Sequence, residues 1–186
     1  ASKNYRNSSG YILDGPEYYT LFDGATGKVL DTVDYEFTRG KVADWGDKYG
    51  NRVDRFLGAV AYLDGVHPSA VSVRGYYTRM TAVAYDVVNK KLVKRWTFDS
   101  NNSASSAAKG NGNHNCMAGD VDGDGKQELV LGATCIDDDG KLLWCTKLGH
   151  GDAMHLADLL PDRIGLELWT CHEAAPYGVS LIDAKD

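Results

Sequence analysis

Strand-like apolar-rich runs alternate with polar, turn-forming stretches along most of the chain, and helical periodicity is nearly absent. Residues Glu17–Phe22 and Val29–Thr32 flank Asp23-Gly24-Ala25-Thr26-Gly27-Lys28, a turn composition that predicts a hairpin. Strands are expected next at Phe56–Leu63, Ala70–Tyr76, Met80–Tyr85 and Leu92–Phe98. A further group falls at Met117–Asp120, Glu128–Ala133, Thr134–Asp137 and Leu142–Leu148, and a last one at Met154–Asp158, Glu167–His172 and Gly178–Asp183. Two stretches interrupt the alternation. Asp99–Asn115 is rich in Asn, Ser, Ala and Gly with no apolar period, and Asp44–Arg55 mixes charges with glycines; both predict long connectors.

The strands repeat in groups. Asp86-Val87-Val88-Asn89-Lys90-Lys91-Leu92 aligns with Asp137-Asp138-Asp139-Gly140-Lys141-Leu142-Leu143; Asp23 opens a longer version and Asp183 a truncated one. These starts lie 63, 51 and 46 residues apart, the size of a four-stranded propeller blade. The expected fold is therefore all-β, a β-propeller of which the chain covers three to four blades. The divisions are half a blade at about 1–45, a blade at about 56–98, a blade at about 114–148 and an incomplete blade at about 152–186. So few blades close no ring, so the chain is expected to be a piece of a longer protein; an open sandwich is the alternative.

Composition narrows the chemistry. The 186 residues carry a formal charge of −6, which argues against nucleic acid as a partner. No apolar run approaches the roughly 18 residues needed to span a membrane. Cys116, Cys135, Cys145 and Cys171 are spaced 19, 10 and 26 residues apart, which matches no zinc or redox motif. They are expected as small buried hydrophobes, with one disulfide possible.

The strongest local signal is Asp120-Val121-Asp122-Gly123-Asp124-Gly125-Lys126-Gln127-Glu128. Calcium takes about six to eight hard oxygen ligands. Glycines at 123 and 125 let the chain curl so that Asp120, Asp122 and Asp124 converge, with the Lys126 carbonyl and Glu128 completing the set. Without a cation these carboxylates repel one another. Asp158, Asp162 and Glu167 form a degenerate copy in which Leu160 replaces a ligand. Tyr62–Pro68 keeps one acid and is expected as a plain turn.

Blade counting places His114, His150, Asp152, His172 and Glu173 on one rim, opposite the acidic loops. There they are able to bind metal, bind sugar or move protons. The bland alternative is a set of hydrogen-bonded structural groups, and His155, inside a strand, is expected in the core. Arg74-Gly75-Tyr76-Tyr77-Thr78-Arg79 enters the same rim, with Arg52 and Arg55 from the neighbouring link. Arg52, Arg55, Arg74 and Arg79 are candidates for a sugar carboxylate.

Several long motifs carry a resemblance: Tyr5–Tyr11, Asp44–Phe56, Arg74–Arg79, Gly112–Asn115, Asp120–Gly125 and Gly149–His155. In this order they resemble the bacterial rhamnogalacturonan lyases of polysaccharide lyase family 11. The resemblance implies an eight-bladed propeller with structural calcium ions and a central cleft. It also implies secretion and β-elimination on the galacturonate of rhamnogalacturonan I. The calcium ligands it implies are Asp120, Asp122, Asp124, Lys126, Glu128, His114, His150, Asp158, Asp162, Ile164, Glu167 and Glu173; Asp152 and His172 join them as rim candidates. No catalytic base is assigned in this chain, and much of the cleft is expected from further blades. A non-catalytic calcium-binding propeller module for adhesion is the alternative reading.

Overall fold

The computed structural model describes residues 3–185. The chain is all-β, apart from 3-10 turns at Val42–Trp45 and Ser103–Ala108. Its first sheet pairs β1 (Tyr18–Phe22) with β2 (Val29–Asp34). The second runs β3 (Phe56–Ala61), β4 (Ser69–Arg74), β5 (Thr81–Val88) and β6 (Lys91–Asp99) in chain order. The third repeats that order with β7 (Met117–Gly119), β8 (Glu128–Val130), β9 (Thr134–Ile136) and β10 (Leu142–Cys145). The fourth holds β11 (Met154–Ala157), β12 (Glu167–Cys171) and β13 (Val179–Asp183). Every ladder within these sheets is antiparallel.

Period-two alternation sends successive side chains of a strand to opposite faces, and here both faces of the middle sheets are apolar. On β5, Val83 and Tyr85 meet Tyr19, Leu21 and Val33 of the first sheet. Ala82 and Ala84 face the other way, towards Leu129, Leu131 and Ile136 of the third sheet. Val130 and Cys135 of the third sheet then pack on Met154, Leu156 and Leu168 of the fourth. The four sheets thus stack face to face in chain order.

The outer faces of the end sheets stay apolar and exposed. Tyr18, Phe22 and Val29 lie on one, and Trp169, Val179 and Leu181 on the other. His155, expected in the core, belongs to this second face. It pairs with Trp169 across the ladder and is exposed, because its neighbours Met154 and Leu156 take the inward positions of β11.

Some elements are shorter than the alternation predicts. The run Glu128–Ala133 yields only the three-residue β8, because Gly132 adopts φ +69° and turns the chain into β9. A Cβ there would also press into the Asn113 side chain. The connector after Asp99 is ordered by its 3-10 turn, in which Ser105 and Ala108 are buried. All four cysteines are free thiols. Cys135 is buried, while Cys116, Cys145 and Cys171 are half-buried. Burial pushes the Cys116 thiol up to about 11.

Candidate functional site

The link into β7 and the link into β11 lie side by side. His114 N donates to the Gly151 carbonyl at 3.2 Å, and Asn113 and Gly151 form a parallel bridge. This places the His114 and His150 rings 5.0 Å apart. Asp152 Oδ1 lies 3.4 Å from His114 Nε2. One ligand atom from each of His114, His150 and Asp152 falls within 4.8 Å of the others.

Orientation of the rings follows from their partners. His150 Nδ1 is 2.8 Å from the Gly112 carbonyl, so Nδ1 carries the proton and donates it. Nε2 is left with a bare lone pair, buried and without a partner. Burial lowers the His150 pKa and keeps the ring neutral, against the opposing pull of the Gly112 carbonyl and of Glu173. A neutral imidazole fixed through its far nitrogen is the form that binds metal. His114 Nε2 is 2.7 Å from the Tyr77 hydroxyl. Tyr77 also packs on His150, with centroids 4.2 Å apart, and Tyr76, in contact with Tyr77 at 5.3 Å, lies parallel to the His150 ring at 5.7 Å.

His172 stands apart from this group, and Glu173 adjoins it as a nearby charge rather than within ligand distance. The His172 ring is buried and turned towards Ser180, with Nε2 at 3.1 Å from its hydroxyl, and Tyr177 packs on it edge-on. Glu173 reaches the group through its backbone, donating N–H to the His150 carbonyl at 3.0 Å.

The rim arginines divide into two kinds. Arg74 is fully buried and its guanidinium is consumed internally. It donates to both Glu17 carboxylate oxygens at 2.8 and 3.0 Å, to Asp54 at 3.1 Å, and to the Val53 and Phe37 carbonyls. Burial opposes the Glu17 charge, but Arg74 and Arg39 hold its carboxyl below the ordinary range. Arg79 forks onto Asp99 at 2.6 and 3.1 Å and covers Trp45. The expectation that these two meet a substrate carboxylate is corrected: each already holds one of the protein's own. Arg52 and Arg55 instead lie over the Tyr77 ring at 4.9 and 5.9 Å.

The acidic loop lies between β7 and β8. Asp120 accepts N–H bonds from Gly123 at 2.8 Å and Gly125 at 3.0 Å, which curls the loop inward. Glu128 is fully buried; its Oε2 accepts the Val121 N–H at 2.7 Å, and its Oε1 has no partner. Oxygens of Asp120, Asp122 and Glu128 come within 4.8 Å of one another, as do those of Glu128, Asp137 and Asp138. Burial, then the charges of Asp122, Asp120 and Asp124, push the Glu128 carboxyl up to about 7. An orphaned buried carboxylate oxygen amid like charges fits a hard divalent cation.

Asp124 turns away from this centre, to the Lys126 N–H at 2.8 Å and the Lys126 ammonium at 3.0 Å. That ammonium also reaches Asp138 at 3.1 Å. Asp137 and Asp138 were not singled out as ligands from the sequence, although they open the repeated turn. Their signal is the register Leu129↔Ile136, which sets Asp137 beside Glu128.

The degenerate loop does not gather its acids into such a group among the described residues. Glu167 is buried, and its Oε2 accepts the N–H groups of Leu159 and Leu160, both at 2.9 Å. Asp158 and Asp162 are exposed, and the Ile164 side chain is wholly exposed. The earliest loop is spent on itself: Asp64 accepts from the N–H groups of Val66 and His67 and pairs with the His67 ring.

Serial antiparallel meanders bearing an all-oxygen carboxylate nest and a histidine-containing rim define an all-β protein with two divalent-cation candidate centres. The family described as rhamnogalacturonan lyase family 11, C-terminal domain, matches residues 1–186, and the chain belongs to that family. It is 58% identical over 183 residues to the rhamnogalacturonan exolyase YesX of Bacillus subtilis (strain 168), covering 97% of this chain and 30% of that protein. It is 53% identical over 186 residues to the rhamnogalacturonan endolyase YesW of the same organism, covering 99% of this chain and 30% of that protein. The chain therefore spans about a third of the length of these relatives. Among solved structures, that of the exotype lyase YesX superposes with a TM-score of 0.96 at 57% identity, over 99% of this chain and 31% of that one. The Bacillus licheniformis rhamnogalacturonan lyase gives 0.96 at 57% identity, over 99% of this chain and 32% of that one.

Proposed function

We propose that the chain forms part of a secreted polysaccharide lyase that cleaves the rhamnogalacturonan I backbone by β-elimination at galacturonate. The observation that carries this reading is the rim centre of His114, His150 and Asp152, walled by two tyrosines and two arginines, in a chain this close to two rhamnogalacturonan lyases. In the reaction, a base removes the proton on C5 of galacturonate. The electron pair forms the C4–C5 double bond, and the sugar at O4 leaves and takes up a proton. No water is consumed. The C5 proton is barely acidic while the neighbouring carboxylate keeps its full charge.

A bound calcium ion supplies positive charge that the carboxylate and the developing enolate-like anion need. At the rim, His150 Nε2, His114 and Asp152 would hold it, with Gly112 fixing the His150 tautomer. At the opposite end, Asp120, Asp122 and Glu128, with Asp137 and Asp138, would hold a structural ion. The rest of the protein would add further sheets to the stack and complete a propeller with a central cleft, and with it the catalytic base. The exposed apolar faces of the first and last sheets support this arrangement.

The test is ultraviolet absorbance of the products made by the full-length protein from rhamnogalacturonan I. β-Elimination leaves a conjugated unsaturated uronate at each new end. Products without that absorbance would remove the lyase reading in favour of hydrolysis, and no products at all would favour an adhesion module.

A further inference from the structure

Arg52 and Arg55 differ from the other arginines near the rim in what holds them. Arg74 and Arg79 are neutralised by carboxylates. Arg52 and Arg55 are held only by neutral groups. Arg52 Nη1 donates to the Gly46 carbonyl at 3.3 Å, and Arg55 donates through Nη2 to the Asn51 side-chain oxygen at 3.1 Å. Among the described residues no carboxylate lies within ion-pair distance of either guanidinium.

Both guanidiniums rest on Tyr77. A ring face attracts a cation without cancelling its charge, so this mounting orients the two forks and leaves them positive. The mounting is built closely. Gly46 adopts φ +111°, and a Cβ there would stand 3.0 Å from Arg52 Cδ and Nη1. Asp47 Oδ2 accepts the Arg52 backbone N–H at 2.7 Å and pins the turn, while no ion pair among the described residues joins its carboxylate to the Arg52 guanidinium. Tyr77 is also the residue whose hydroxyl meets His114 Nε2 and whose ring meets His150. Two unneutralised planar forks therefore lie one aromatic ring away from the rim centre.

We propose that Arg52 and Arg55, mounted on Tyr77, form an anion-recognising wall that selects a uronate carboxylate over a neutral sugar next to the His114–His150–Asp152 centre. The proposal rests on the lyase reading for the identity of the polymer, and on the arginine geometry alone for the anion. A guanidinium matches a carboxylate through two parallel N–H bonds, which an ammonium cannot reproduce.

The experiment titrates the calcium-loaded full-length protein with galacturonic acid and, separately, galactose. It compares wild type with Arg52→Gln, Arg55→Gln and Arg52→Lys. The expected result is that each Gln variant weakens the acid by about tenfold or more and leaves calcium affinity unchanged. Arg52→Lys, which preserves the charge and guards against misfolding, is expected to recover only part of the loss. The KM for rhamnogalacturonan I should rise in the same variants with smaller changes in kcat. Galacturonic acid affinity unchanged in both Gln variants overturns the wall. A wild-type protein that shows this arginine-dependent preference yet forms no unsaturated product overturns the lyase reading and leaves the wall standing.

Discussion

Arg74 shows how one residue type serves two purposes in adjoining segments. In the sequence it stands in Arg74-Gly75-Tyr76-Tyr77-Thr78-Arg79 and looks no different from a rim residue. In the fold it ties Glu17, which precedes β1, to β4 and to the carbonyls of Phe37 and Val53. Removing one partner of a buried ion pair strands the other charge and costs about 3–5 kcal/mol. Arg74→Met is therefore expected to lower stability to chemical denaturation by that amount, without a selective change in affinity for galacturonic acid. What distinguished Arg74 from Arg52 was the location of Glu17 and Asp54, far away in sequence, and no local pattern carries that information. The histidines pose the same difficulty. His114 and His150 meet because two links run side by side, whereas His172, also at a strand end, turns to Ser180.

At the level of the elements, the strand groups were legible because near-continuous apolar runs bounded by turn residues, such as Thr81–Val88, mark strands covered on both faces. Boundaries were less so. β8 ends early at Val130, before the turn at Gly132, and β10 stops at Cys145 rather than Leu148. The acidic loop could be read from its alternating Asp and Gly, yet the Asp124 carboxylate is drawn off to the Lys126 ammonium, and Asp137 and Asp138 approach Glu128 in its stead. Ladder register decided that exchange.

Glu128 carries a pH signature. Its folded carboxyl is raised to about 7, above its ordinary value of 4.5. A raised acid favours the fold while protonated, so the metal-free protein is expected to lose stability as pH rises from about 4.5 to 7. The loss is on the order of 3 kcal/mol. Melting curves after thorough chelation check this. Glu128→Gln should flatten the pH dependence and abolish the rise in melting temperature that is expected when calcium is added to the wild type. A cation bound only to the folded state raises that temperature by mass action.

For the whole molecule, the decisive feature is a stack with two apolar ends. Tyr18 and Phe22 at one end, and Trp169 and Leu181 at the other, expose surface that the middle sheets bury at the equivalent faces. The 186-residue chain in isolation is expected to self-associate in sedimentation velocity, and Trp169→Ser with Leu181→Ser should reduce that association. In the full-length protein the same pair should instead lower the melting temperature, because there the last face would be covered. A monodisperse, monomeric isolated chain would count against the covering of these faces by further sheets.

The loops of neighbouring sheets are clasped to each other. Tyr62 N donates to the Gln127 side-chain oxygen at 2.9 Å, and Gln127 N donates back to the Tyr62 carbonyl at 3.1 Å. Gln127 directly precedes Glu128. Whatever steadies the carboxylate nest therefore also shields an amide on the adjoining sheet, in a turn that has no nest of its own. Exchange of the Tyr62 amide with deuterated solvent is then expected to slow when calcium is added, a gauge of cation occupancy read on the sheet next to the nest.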